Sequence, residues 1–165
     1  MKLLSKATTM TILQHPDRST LEDWLQHIHV DNFLCGECEG LHLSALQDIE
    51  GVVNSRVFVH KTHILVSTEL EIRPMAVLPL ASDLGRLNMD YPNLKVFLDI
   101  VDDETPQLVA SASMLATAGI AQKQFGEFVV NVMDGTRLLA EECLQLDYLF
   151  ARPESPGISG STSVH

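Results

Sequence analysis

The chain has 165 residues, 45% of them apolar and 20% charged, so it is long enough to bury one core without staples and too apolar to stay unfolded. Asp and Glu outnumber Lys and Arg 22 to 11, and the cations are scattered, so a net charge of −11 repels a nucleic-acid backbone and an anionic membrane surface alike. No direct nucleic-acid binding and no membrane attachment are expected.

The opening "MKLLSKATTMTILQH" starts like an export signal, but Ser5, Lys6, Thr8 and Thr9 interrupt the apolar run that such a signal needs. The longest apolar run, Met75 to Ala81, falls far short of the roughly 20 residues that span a bilayer. With an odd number of cysteines, three, a reducing cytoplasm is the expected location. Residues 1–18 are mixed and polar, and residues 152–165 are rich in Pro, Ser and Gly. Both are expected to be mobile tails around a single domain over residues 19–151.

Within that domain, Ser19 and Glu22 have capping-box spacing ahead of Leu21, Trp24, Leu25 and Ile28, which share one face of a first helix. Residues 33–46 are irregular, and Gly36 and Gly40 bracket two cysteines, which indicates short extended pieces joined by a tight turn. "VVNSRVFVH" and "HILVSTELEI" follow as a hairpin turning at His60 to His63. Ile64, Val66, Thr68, Leu70 and Ile72 alternate with polar residues at the period of a sheet buried on one face. A second helix is expected from Pro79 to Asn88, since proline is tolerated in a first helical turn. "NLKVFLDIV", with Leu94, Val96, Leu98 and Ile100 inward, and "QLVASASML" form a second hairpin across the acidic "DDETP". From Gln122 to Phe150, apolar residues at three- and four-residue spacing mark a terminal amphipathic helix with a kink or break at Gly135. With the extended residues around the cysteines counted once, the order is α-β-β-β-α-β-β-α: an α+β domain with an antiparallel sheet packed with helices.

Cys35 and Cys38 have zinc-knuckle spacing, and His42 could be a third ligand. A closed structural site needs four ligands, and no second pair follows, although Cys143 could reach the cluster across space. A redox dithiol would favour a helix N-terminus, whereas glycines surround this pair. The reading that takes precedence is a turn with structural thiols, and no metal or cofactor is expected. His27 and His29 face different sides of the chain, and His60 and His63 read as solvated loop residues. Asp102, Asp103 and Glu104 lack the spacing of a calcium loop. No nucleophile elbow or phosphate-binding glycine loop is present, so no catalytic residue is proposed and the chain is not expected to be an enzyme. The apolar surface of the first and last helices has two uses. Trp24, Leu25, Phe128 and Val132 either cover the sheet or form a face for a protein partner or a second copy, giving a homodimer.

Three stretches, "FLCGECEGLHL" at 33–43, "EIRPMAVLPLASDL" at 71–84 and "FLDIVDDETPQLV" at 97–109, resemble the YbjN family of sensory transduction regulators, most closely its plant-pathogen branch of amylovoran repressors. The likeness extends from Leu21 to Phe150. It implies a fold similar to the type III secretion chaperones, no catalysis, and repression of exopolysaccharide production, virulence, motility and stress responses. Cys35, Cys38 and His42 lie on the family's cysteine-bearing stretch, and the resemblance assigns them no role. The expected function is regulation through protein–protein contacts with an unidentified partner. An effector chaperone, or a metal or redox sensor through Cys35 and Cys38, are the alternatives.

Overall fold

The computed structural model describes residues 11–101 and 104–151. Helix α1 spans Arg18–His27, strand β1 Asn32–Phe33, β2 Leu41–Leu43, and a single-turn helix α2 Ser44–Gln47. Strands β3, Val52–Val59, and β4, His63–Glu71, form the first long hairpin. A 3-10 turn, Pro74–Ala76, leads into α3, Val77–Asp90; β5, Lys95–Asp99, β6, Gln107–Leu115, and α4, Gln122–Gln145, complete the chain. All pairings are antiparallel, in the order β1-β2-β3-β4-β6-β5. Helices α1 and α4 pack together over one face, with α3 against β5. The fold is the expected α+β class; the two short extended pieces of the cysteine stretch are β1 and β2, and the one added α-helix is α2, which follows them.

Local chemistry explains where the boundaries differ from expectation. Asp17, in extended conformation, caps α1: its Oδ1 accepts from the Thr20 N–H at 2.8 Å and from the Thr20 hydroxyl at 2.7 Å. The Ser19–Glu22 box is therefore not the start, and the Thr20 amide holds the Asp17 carboxyl below its ordinary range. The second helix begins at Val77, before Pro79, which still falls in the first turn where no N–H is required. Helix α4 runs unbroken through Gly135, which faces the Leu94 side chain. It stops at Gln145, five residues short of Phe150, because Asp147 turns left-handed (φ 59°). The Tyr148 N–H then bonds the Cys143 carbonyl, and the Asp147 N–H that of Leu144. The end of α1 repeats this arrangement around His29 (φ 59°), with Val30 bonded to Leu25 and His29 to Gln26.

Part of the expected N-terminal tail is described. Gln14 exchanges two backbone hydrogen bonds with Ile120, at 2.9 and 2.8 Å, and Pro16 is buried. Residues 1–10 and 152–165 lie outside the described residues.

The alternation read along β4 is observed: Ile64, Val66, Thr68 and Leu70 are fully buried, as is Ile72 beyond the strand. On β5, Leu94 and Val96 point inward as expected, but Ile100, past the end of the pairing with β6, is exposed. Trp24, Leu25 and Val132 are at most 6% exposed, and Phe128 packs half-buried against them. Trp24 meets Phe125 at a ring separation of 5.6 Å. Of the two uses offered for these residues, burial places Trp24, Leu25 and Val132 in the core between helices and sheet, where a partner could reach them only by opening it, while Phe128 keeps part of its side chain in water.

Three polar arrangements fix the packing. In the core, the hydroxyls of Ser55 and Thr68, opposite each other on β3 and β4, bond at 2.8 Å and satisfy one another away from water. At the outer edge, the Asn88 amide of α3 accepts from the Val96 N–H and donates to its carbonyl, both at 2.9 Å, as a neighbouring strand would. Between α3 and α4, Arg86 forms a fork on Asp83 at 2.8 and 2.6 Å and also donates to Asp90 (2.8 Å) and Glu142 (2.6 Å). Tyr91 donates to the other oxygen of Glu142 at 2.6 Å. Tyr91, then Arg86, holds the Glu142 carboxyl below its usual range; Arg86 does the same to Asp83.

Thr68→Val should cost about 1–3 kcal/mol in chemical denaturation by stranding a buried hydroxyl, and adding Ser55→Ala should restore most of it. Lowered carboxylate pKa values contribute stability above the ordinary values, 4.5 for Glu142 and 3.8 for Asp83, that is lost as pH falls through the depressed ones. Arg86→Met should therefore lower the Tm by a few degrees at pH 7, with the gap to the parent closing on acidification in thermal melts.

Candidate functional site

The site grows from a reversal of the chain at the β1–β2 edge. Gly36 has φ 79°, a backbone conformation open to glycine and costly for other residues, so Cys35-Gly36-Glu37-Cys38 folds tightly enough to bring the two Sγ atoms within 3.4 Å. The return path passes Gly40, where a Cβ would lie 2.9 Å from the Phe58 ring, so only glycine lets the loop rest on β3. The chain then enters β2, where side chains alternate: Leu41 and Leu43 go into the core, and His42 takes the other face.

His42 is only 6% exposed. The Phe33 ring, across the β1–β2 ladder, stacks on it at 4.7 Å and 16°. Arg56 is its neighbour on β3 and pairs with Glu69. His42 Nε2 lies 3.3 Å from Cys38 Sγ, and Nδ1 lies 3.4 Å from the Gln47 amide, which donates to Asn54 Oδ1 at 3.0 Å. One donor atom from each of Cys35, Cys38 and His42 falls within 4.8 Å of the others. The residues read as candidates from spacing are thus brought together, with Cys35 exposed, Cys38 half-buried and His42 buried. Cys143 is not with them; it is buried on α4, and loss of water pushes its thiol up to about 12.

Cys35 is the opposite case. The Glu37 N–H points at its sulfur from 3.4 Å, and the Cys38 side chain adds a second hydrogen bond, lowering its pKa to about 6. Two close thiols and an imidazole could hold a thiophilic cation or close a disulfide. Among the described residues no other histidine joins them: the rings of His60 and His63 meet at 4.7 Å, tilted by 30°, where the β3–β4 hairpin turns.

Two features escaped the sequence reading. Met75, in the 3-10 turn, and Leu78, at the start of α3, are 88% and 79% exposed while the neighbouring Ala76 and Leu80 are buried. The charge cluster on Arg86 was signalled by Asp83 and Asp90 at three- and four-residue spacing. Its Glu142 comes from a helix distant in sequence.

Fold and site define an α+β protein whose described residues build one six-stranded antiparallel sheet, with a Cys-Cys-His corner at one edge, in an acidic chain. The chain belongs to the YbjN family, whose model, described as "Putative bacterial sensory transduction regulator", matches residues 17–145. It is 39% identical over 120 residues to "Uncharacterized protein YbjN" of Escherichia coli K12, covering 73% of this chain and 76% of that protein, and equally similar to the Shigella flexneri protein of that name. A solved structure described as "Crystal structure of YbjN, a putative transcription regulator from E. coli" superposes with a TM-score of 0.82 at 33% identity, covering 86% of this chain and all of that one. Among the described residues no helix is long and apolar enough to cross a membrane.

Iodoacetamide labelling in the presence of a chelator should modify Cys35 fastest, with a rate half-maximal near pH 6 and level above pH 7, whereas Cys143 should react only on unfolding. Mass spectrometry of labelled peptides checks the order.

Proposed function

We propose that the chain is a non-enzymatic regulator that acts by contact with another protein, repressing exopolysaccharide production and virulence and affecting motility and stress responses. Membership of a family of sensory transduction regulators supports the general role. The observation that carries the mode of action is the exposure of Met75 and Leu78. The 3-10 turn and helix α3 together bury Ala76, Leu80 and Leu87, yet send two long apolar side chains into water, Met75 from the turn and Leu78 from the first turn of the helix. Met75 and Pro79 share a depression of about 240 Å³ with Leu146 of the α4 terminus, so Met75 belongs to a patch rather than standing alone, and Leu78 is exposed three residues along the chain. Covering such surface is favourable by about 25 cal/mol per Å².

The partner that fits is an apolar protein segment flanked by basic residues, because the chain carries a net charge of −11; at the depression itself Asp147 is paired with Arg73. The same charge argues against the nucleic-acid backbone as target. Any effect on transcription then passes through a protein.

The double variant Met75→Ser/Leu78→Ser should keep its Tm nearly unchanged, since both side chains are solvated. In a strain lacking the native gene it should fail to restore repression of exopolysaccharide, and a partner identified on the parent chain should bind at least about tenfold more weakly. Leu25→Ala is the contrasting control and should lower the Tm by several degrees. Full repression by the double variant would overturn the proposal.

A further inference from the structure

The geometry points to a zinc site formed by Cys35, Cys38 and His42, with three protein ligands and a fourth coordination position left to water or an incoming ligand. In a tetrahedral zinc centre, metal–sulfur bonds of about 2.3 Å and metal–nitrogen bonds of about 2.0–2.1 Å set the ligand atoms roughly 3.5–3.8 Å apart. Here the two sulfurs are 3.4 Å apart and Cys38 Sγ is 3.3 Å from His42 Nε2, with all three atoms inside 4.8 Å. The Cys35–Cys38 and Cys38–His42 edges need to open by a few tenths of an ångström, and the Cys35–His42 edge, inside 4.8 Å, closes toward the same roughly 3.5–3.8 Å. The two edges that include Cys35 are adjusted by moving that residue, which is exposed and next to Gly36.

The surroundings of His42 are what a ligand histidine requires. Its ring is held against rotation by Phe33, and Nε2 faces the thiol of Cys38. With a cation on Nε2 the ring proton must reside on Nδ1 and needs an acceptor. Gln47 occupies that position. Reversing its amide and that of Asn54 together, which leaves every heavy atom in place, turns Gln47 Oε1 toward Nδ1 and lets Asn54 donate to Gln47. Two thiolates and an imidazole favour zinc over magnesium or calcium, which take oxygen ligands. The open fourth position suits an exchangeable ion more than a permanent staple. Helix α3 packs at the opposite sheet edge, against β5, so this inference stands apart from the partner surface proposed above.

The test is titration of the reduced full-length chain with Co²⁺ as a spectroscopic stand-in, followed by displacement with Zn²⁺. One equivalent of Co²⁺ per chain should produce thiolate charge-transfer absorption in the near ultraviolet and the visible bands of a tetrahedral ion, both abolished by Zn²⁺. Cys35→Ser should bind at least about tenfold more weakly and lose part of the charge-transfer intensity, and its exposed position leaves folding intact. Gln47→Ala should weaken binding about 10–100-fold while preserving the thiolate bands, the signature of a positioning residue. Absence of saturable binding, uptake without thiolate bands, or a spectrum indifferent to Cys35→Ser would each overturn the site, as would a cluster that only forms a Cys35–Cys38 disulfide and takes no metal once reduced.

Discussion

Everything in this chain depends on keeping one face of β4 away from water. Nine residues long and central in the sheet, β4 pairs along its length with both β3 and β6, and its inner side chains are completely buried. Two helices with continuous apolar faces are needed to cover that surface, which is why α1 and α4 contribute Leu21, Trp24, Leu25, Phe125, Val129 and Leu139 to the core. Because strand side chains alternate, the same register sets the opposite face. Phe33, His42, Arg56, Ser67, Ser111 and Lys95 are successive neighbours across all six strands, so His42 is oriented by the ladder that organises the core.

The long elements were legible because their periodicity is strong. The alternation of Ile64 to Ile72 identified the buried strand, and the spacing of apolar residues after Gln122 identified the last helix. What periodicity does not carry is the identity of the surface that an apolar face meets. Trp24, Leu25 and Val132 lie on an amphipathic stripe, and a stripe reads the same whether sheet or partner covers it. Boundaries were lost for a different reason: Asp17 and Ser19 are both competent caps, and the choice between them rests on the two hydrogen bonds that Asp17 accepts from Thr20. The left-handed end of α4 at Asp147 had no glycine to announce it.

The candidate site was legible as a set of residue types and not as a place. Spacing placed Cys35 next to Cys38, but the approach of His42 depends on β1 folding back on β2, and its second contact comes from α2, a four-residue helix too short for any periodic signal. The helix pair α3–α4 shows the same division. Asp83, Arg86 and Asp90 are a local pattern, whereas Glu142 and Tyr148 arrive through tertiary packing and make the pattern a joint between two elements. A lone arginine serving three carboxylates also explains how so acidic a chain brings negative helices together.

The bond pair between Asn88 and Val96 has a dynamic consequence. A terminal strand ordinarily offers free backbone groups to any chain that comes alongside, and here one amide side chain occupies those of Val96. Asn88 rides on the helix that carries Leu78 and continues directly from the turn bearing Met75, so concealment of the sheet edge is coupled to the position of these exposed residues. Any force that lifts α3 uncovers a strand in the same movement, making this helix a latch whose release changes which surfaces the protein can offer.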